Sequence, residues 1–131
     1  ISNHLKQVCF NLVFNAAEAM PDGGELRVRA YLDDGASEDP AESLYVAVSG
    51  GRAADRVQGQ AVVVELSDTG MGIPPNELQK IFEPFYTTRT KGTGLGLAVS
   101  YSIIEQHHGE LAVRSTVGEG TTFRIRLPVA Q

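Results

Sequence analysis

From His4 to Met20 the chain carries Leu5, Val8, Cys9, Phe10, Leu12, Val13, Phe14, Ala16, Ala17 and Met20. At about 100° per residue, these side chains cover most of the circumference of a helix. One narrow polar stripe remains, made of Gln7, Asn11, Asn15 and Glu18 at spacings of 4, 4 and 3. A helix this apolar needs a layer to pack against, and that requirement shapes the rest of the fold.

The remaining chain supplies the layer. "PDGG" at Pro21–Gly24 is a turn and stop signal. Leu26, Val28, Ala30 and Leu32 then alternate with polar residues, which predicts a half-buried strand. Val62–Leu66 reads as a second strand and Pro75–Phe82 as a short helix. Glu83–Thr93 reads as a loop and Gly94–His108 as a helix closed by Gly109 at its C′ position. Glu110–Ser115 and Thr121–Pro128 finish the chain as strands, with Phe123, Ile125 and Leu127 inward. Strands joined by short turns predict a two-layer α/β sandwich, with a mixed, mostly antiparallel sheet and helices on one face.

Residues 33–60 interrupt this pattern. They are rich in Gly, Ala, Ser and Asp, and carry six acidic residues against two arginines, which leaves −4 of the formal charge of −5. Leu44, Val46 and Val48 alternate there and suggest one extra strand; the rest reads as a mobile connection. The remainder is nearly neutral, so neither a nucleic-acid face nor a basic membrane surface is expected. No stretch approaches the ~20 apolar residues of a membrane span. At 131 residues the chain reads as one domain, and Ile1 in place of Met suggests a piece of a longer protein. The single cysteine, Cys9, sits in an apolar run and reads as a buried thiol.

Three features carry chemistry. The asparagine stripe is either a solvated face or the wall of a pocket. Asparagine is a poorer helix former than the Lys, Glu and Gln of ordinary solvated faces, and its amide oxygen is a hard, neutral ligand that suits Mg²⁺ beside phosphates. "DTGMGIP", Asp68–Pro74, follows a buried strand. It is either a plain turn or a buried acceptor, since a buried Asp68 needs a donor and the exocyclic amine of adenine is one. The third feature is "KGTGLGL", with Gly92, Gly94 and Gly96 at the entrance to a helix. Each glycine inside a helix costs about 0.8–1 kcal/mol relative to alanine. A glycine-rich loop running into a helix N-terminus exposes N–H groups suited to phosphate, with Arg89 and Lys91 just upstream. The spacing matches neither a Walker loop nor a dinucleotide fingerprint.

Taken in order, "NLVFNAAEAM", "DTGMGI", "FEPFYTT" and "GTGLGL" resemble the N box, first glycine box, F box and second glycine box of the histidine kinase ATP-binding domain. "GEGTTFRIRLP" resembles its closing strand. The resemblance covers residues 4–32 and 61–129 and implies the Bergerat sandwich shared with gyrase, mismatch-repair and heat-shock chaperone ATPases. It also implies ATP and Mg²⁺ as ligands, with Asn15 on the metal, Asn11 and Glu18 on the same wall, and Asp68 as adenine acceptor. Gly70, Gly72 and Ile73 would form the base pocket. Phe82 of the F box and Thr122 of the closing strand would complete the nucleotide site. Thr87, Thr88, Arg89, Lys91, Gly92 and Thr93 would form a lid, and Gly94, Leu95, Gly96 and Leu97 would meet the phosphates.

The resemblance also implies partners: a dimerisation and phosphoacceptor domain of the same parent, and downstream a response regulator receiver domain. It places the domain in the cytoplasm, with the parent open to membrane anchoring. Hydrolysing members of the superfamily carry a glutamate one turn before the magnesium asparagine; here that position is Asn11, which cannot take up a proton at neutral pH. Transfer to a histidine is therefore expected over hydrolysis. The alternatives are a clamp-type ATPase and a non-catalytic ATP-sensing module. His4 does not read as the acceptor, because the family's acceptor sits on a separate helical hairpin. His107 and His108 close a helix, where a cation complements the dipole.

Overall fold

Alternation with a period of two decides the sheet, and the helices cover only its centre. The computed structural model describes residues 3–33, 46–47, 60–78, 80–81 and 96–128. In chain order these form α1 (Asn3–Glu18), β1 (Leu26–Asp33), β2 (Val46–Ala47), β3 (Ala61–Asp68), α2 (Pro75–Leu78), α3 (Gly96–Gln106), β4 (Glu110–Thr116) and β5 (Gly120–Pro128). The strands join in the order β1-β3-β5-β4-β2. All four pairings are antiparallel, a more uniform sheet than the mixed one suggested by the turns. Of the 33–60 segment, the described part outside Asp33 and Gln60 is β2, which pairs with β4 through Val46↔Val113 and Ala47↔Ala112.

Register places the core. Leu66 faces Phe123, Phe123 faces Val113, and Ile125 faces Leu111, so these five residues share one face of the sheet. Val8 and Leu12 of α1 and Ile103 and Ile104 of α3 pack onto them. Burying each such side chain is worth about 1.5–3 kcal/mol. Leu78 and Ile81 join the same cluster. The opposite face is charged and cross-linked: Arg29 pairs with Glu65 at 3.6 Å, Arg126 with Asp33 at 2.7 Å, and Arg124 with Glu110 at 3.9 Å. Tyr31 donates to Glu65 at 3.2 Å, and burial together with that carboxylate pushes its phenol above its usual range.

Two apolar patterns in the sequence do not lead to burial. On α1, Val8, Leu12 and Ala16 are buried one turn apart, while Phe10 is 69% exposed and stacks on Phe14 with ring centroids 6.5 Å apart. On β1, Leu26 is half-buried but Val28 is 61% and Leu32 68% exposed. The cause is position. β1 is an edge strand, and the core face of the sheet is filled from α1 and α3 over β3, β5 and β4. Cys9 is half-buried, and burial pushes its thiol up.

The end of α3 also differs in detail. Gly109 is not the left-handed residue; His108 is, at φ 60°. Gly109 instead donates its N–H to Ile104 O at 2.9 Å, so the helix closes one residue earlier than the glycine suggested.

The two faces of α1 give a direct test. We expect Leu12→Ala to cost about 2–5 kcal/mol in urea unfolding. Phe10→Ala should cost about 1 kcal/mol or less, since its ring contributes little beyond the stack with Phe14.

Candidate functional site

β3 ends on the residue that organises the site. Asp68 closes β3 and is itself buried, with 9% of the residue exposed. Its Oδ1 accepts two backbone N–H groups, from Gly70 at 2.8 Å and from Thr121 at 3.2 Å. Among the described residues Oδ2 has no hydrogen-bond partner. Oδ2 is not among the fully buried unpartnered atoms of the described residues, which leaves it available as an acceptor.

The loop after Asp68 is tied down on three sides. Thr69 N–H donates to Glu25 O at 3.2 Å, and Glu25 N–H returns to Thr69 Oγ1 at 3.0 Å. Met71 N–H caps the carboxyl end of α1 at Ala19 O, 3.1 Å away, and Met71 O accepts Gly118 N–H from the β4–β5 turn at 2.9 Å. Ile73 N–H donates to Ser115 Oγ at 2.7 Å. The glycines permit this closeness. A Cβ on Gly70 would lie 2.5 Å from Ala19 O, and Gly72 combines φ +77° with a Cβ position that would fall on the Thr116 carbonyl oxygen.

Within the stripe, Gln7 is exposed and Asn11 faces α3. Asn11 Nδ2 donates to Ser100 Oγ at 3.2 Å, and Ser100 is fully buried. Asn11, Asn15 and Glu18 are all half-buried. The stripe therefore runs from the first turns of α3, which starts at Gly96 and Leu97, to the carboxyl end of α1 where the Gly70 loop docks. Asn15 lies between these two fixed ends. Its amide oxygen has the right chemistry for Mg²⁺ shared with phosphates. Among the described residues no group of three or more His, Cys, Asp or Glu side chains converges to form an all-protein cage.

Of the residues expected at the site, Asn11, Asn15, Glu18, Asp68, Gly70, Gly72, Ile73, Gly96 and Leu97 fall on these connected elements. Phe82, Thr87, Thr88, Arg89, Lys91, Gly92, Thr93, Gly94 and Leu95 lie outside the described residues. Thr122 does not join the site. It stands opposite Ser67 and bonds to its hydroxyl at 2.9 Å, on the sheet face away from the helices. Its neighbour Thr121 lies on the helix-facing side, with its N–H on Asp68 and its Oγ1 2.7 Å from Ser115 Oγ. The sequence contained the signal: if Phe123 and Ile125 point inward, a period of two sends Thr121 inward and Thr122 out.

An antiparallel sheet under an asparagine-striped helix, with a carboxylate seated in a glycine loop at the strand end, is the Bergerat arrangement. Over residues 1–131 the chain matches the family described as histidine kinase-, DNA gyrase B-, and HSP90-like ATPase. The chain belongs to that family. It is 43% identical over 129 residues to sporulation kinase E of Bacillus subtilis, covering 98% of this chain and 14% of that protein. It is 46% identical over 125 residues to sensor kinase CckA of Brucella abortus, covering 94% of this chain and 12% of that protein. Among solved structures, full-length ShkA in complex with AMPPNP is similar at a TM-score of 0.70 and 26% identity, over 98% of this chain and 22% of that one.

The register at β5 makes a prediction that separates two adjacent threonines. Thr121→Val should weaken adenine-nucleotide binding by about 1 kcal/mol, the worth of one hydrogen bond. Thr122→Val should leave it unchanged. Isothermal calorimetry of both variants with an ATP analogue is the check.

Proposed function

We propose that this chain is the ATP-binding catalytic domain of a sensor histidine kinase, a single domain over residues 1–131. In this reading it binds Mg·ATP and donates the γ-phosphate to a histidine on a separate dimerisation and phosphoacceptor domain. The observation that carries it is the Asp68 carboxylate, with one oxygen fixed by two N–H groups and the other presented to a ligand. The adenine amine is the matching donor. Gly70, Gly72 and Ile73 then line the base, because their loop is bound to α1, β4 and the β4–β5 turn.

Asn15 would hold Mg²⁺, with Asn11 and Glu18 on the same wall. The metal, when bound, neutralises phosphate charge. The lid residues 87–93 and the phosphate contacts at 94–97 rest on the family resemblance, with Gly96 and Leu97 at the start of α3 agreeing with it. The reaction itself is an attack by an imidazole nitrogen of the acceptor on the γ-phosphorus. The bond to the β–γ bridging oxygen breaks and ADP leaves. Catalysis of that step is mainly positioning and charge stabilisation, so the acceptor histidine has to be brought in line by a second domain.

Asn11 favours transfer over hydrolysis. Its amide is engaged with Ser100 and has no basic lone pair to take a proton from water. His107 and His108 stand at the far end of α3 from Gly96, with His107 Nδ1 2.8 Å from Ile103 O. The named kinases among the relatives support the same reading, although the chain spans only 14% and 12% of the two described above. The acceptor domain, the response regulator beyond it and a cytoplasmic setting belong to this proposal. Among the described residues no helix is long and apolar enough to cross a membrane.

Two measurements test it. Calorimetry should show that Asp68→Ala loses at least about tenfold in ATP affinity, the worth of a charged hydrogen bond. Asn15→Ala should lose chiefly the Mg²⁺-dependent part. With radiolabelled ATP, the chain alone should neither label itself nor release phosphate briskly. It should label an acceptor hairpin from its own parent kinase. Rapid phosphate release by the chain alone would instead support an ATPase.

A further inference from the structure

The chain crosses its own sheet twice. β1 ends at Asp33, opposite Ala61, on one edge of the sheet, while β2 lies on the other edge, beyond β4. Residues 34–45 therefore travel from the first edge to the second, and residues 48–60 return to β3. Four strand spacings of about 4.8 Å separate the edges, roughly 19 Å, which a dozen residues at about 3.3 Å each span with ease.

Two faces are available for the crossing. Val8, Leu12, Leu78, Ile103 and Ile104 pack with Leu66 and Phe123, so all three helices take that face. Among the described residues no helix covers the other face, yet part of it is shut off from water. Ala61 and Val63 are fully buried there, Ala112 is 1% exposed and Arg124 2%. Register sets these residues on one diagonal: Ala61 and Val63 on β3 near Asp33, Arg124 on β5, and Ala112 on β4 opposite Ala47. Towards the start of β1 the same face is open, with the Arg27 side chain 79% and that of Arg29 72% exposed. Burial thus follows a line from the end of β1 to β2.

Charge points the same way. The outer face carries Arg27, Arg29, Arg114, Arg124 and Arg126 against Asp33, Glu65 and Glu110. Residues 34–45 contain Asp34, Glu38, Asp39 and Glu42 and no lysine or arginine. A guanidinium as deeply buried as that of Arg124 is costly unless opposite charges compensate it. The other long stretch outside the described residues, 82–95, joins Ile81 in the core cluster to Gly96 at the start of α3, so both its ends lie on the helix face.

We propose that the 34–60 segment crosses the outer face of the sheet and packs on it as a third layer, with its carboxylates set against the arginines. The acidic insert is then part of the domain's packing, and this face is covered by the chain's own residues instead of by a partner.

Thiol labelling tests this on the 131-residue chain. Cys9→Ser removes the native thiol, and Val63→Cys or Arg27→Cys then places a single thiol beneath the layer or away from it. With a charged maleimide, the Val63→Cys chain should react at least about tenfold more slowly than the Arg27→Cys chain. Because Asp33 pairs with Ala61, an Asn-Gly turn can replace residues 34–60 and leave β1, β3, β5 and β4 in place. In that shortened chain the two rates should converge. A second variant keeps the segment and removes its charge: Glu38→Gln, Asp39→Asn and Glu42→Gln together, or salt at about 1 M, should speed labelling at position 63 several-fold and leave position 27 unchanged. If the shortened chain does not fold, this charge variant decides alone. Equal rates at both positions in the intact chain would overturn the inference. So would slow labelling at position 63 that survives both variants, or that is relieved by dilution, since a second copy would then be the cover.

Discussion

The Asp68 carboxylate keeps its place because two backbone N–H groups, 51 positions apart in the chain, converge on one of its oxygens. Gly70 supplies the first at 2.8 Å and Thr121 the second at 3.2 Å. Neither is a side chain, so neither can be supplied by choosing a residue type. Each requires a backbone path. The Gly70 path requires a loop that can lie against the end of α1. The Thr121 path requires the β3–β5 register that sets Ser67 opposite Thr122. Shift that register by one residue and the N–H points to the other neighbour.

From this point outward the fold is a set of supports. The loop after Asp68 is held by Ala19 at the end of α1, by Gly118 in the β4–β5 turn and by Ser115 on β4. The first of these supports brings the end of the asparagine stripe beside the strand end that carries Asp68. The bond from Asn11 to Ser100 fixes the other end of the stripe to α3. The hydrophobic core beneath, centred on Leu12, Leu66, Phe123 and Ile104, keeps α1 and α3 on the same sheet face. Burial thus positions the layers, while a few hydrogen bonds position the polar groups within them.

Much of this was legible in the sequence, and the limits have physical causes. The elements were readable because their periods differ: α1 repeats its buried residues every four positions and β5 alternates strictly. The loop that holds Asp68 was readable because Asp68, Gly70 and Gly72 stand in a short run at the end of a strand. Cover was not readable. Val28 and Leu32 alternate as if buried, yet their strand lies at the edge, where neither α1 nor α3 reaches. Phe10 and Phe14 likewise look like core residues but occupy the outer face of α1. Thr122 and Thr121 fall on opposite faces of β5, and the inward alternation of Phe123 and Ile125 already distinguishes them. Ser115 gives no signal as a lone serine; its three contacts exist only where the folded hairpin meets the loop.

The central claim is that the Asp68 cluster recognises a purine base by itself, before phosphates or metal contribute. Titration of the ¹⁵N-labelled chain with adenosine, without phosphate or Mg²⁺, tests this at the atoms concerned. We expect the largest amide shifts at Gly70, Ile73 and Thr121, and little change along the β1 edge at Val28 and Leu32. Adenosine shifts confined to residues remote from Asp68, with the Gly70 and Thr121 amides unmoved, would contradict it.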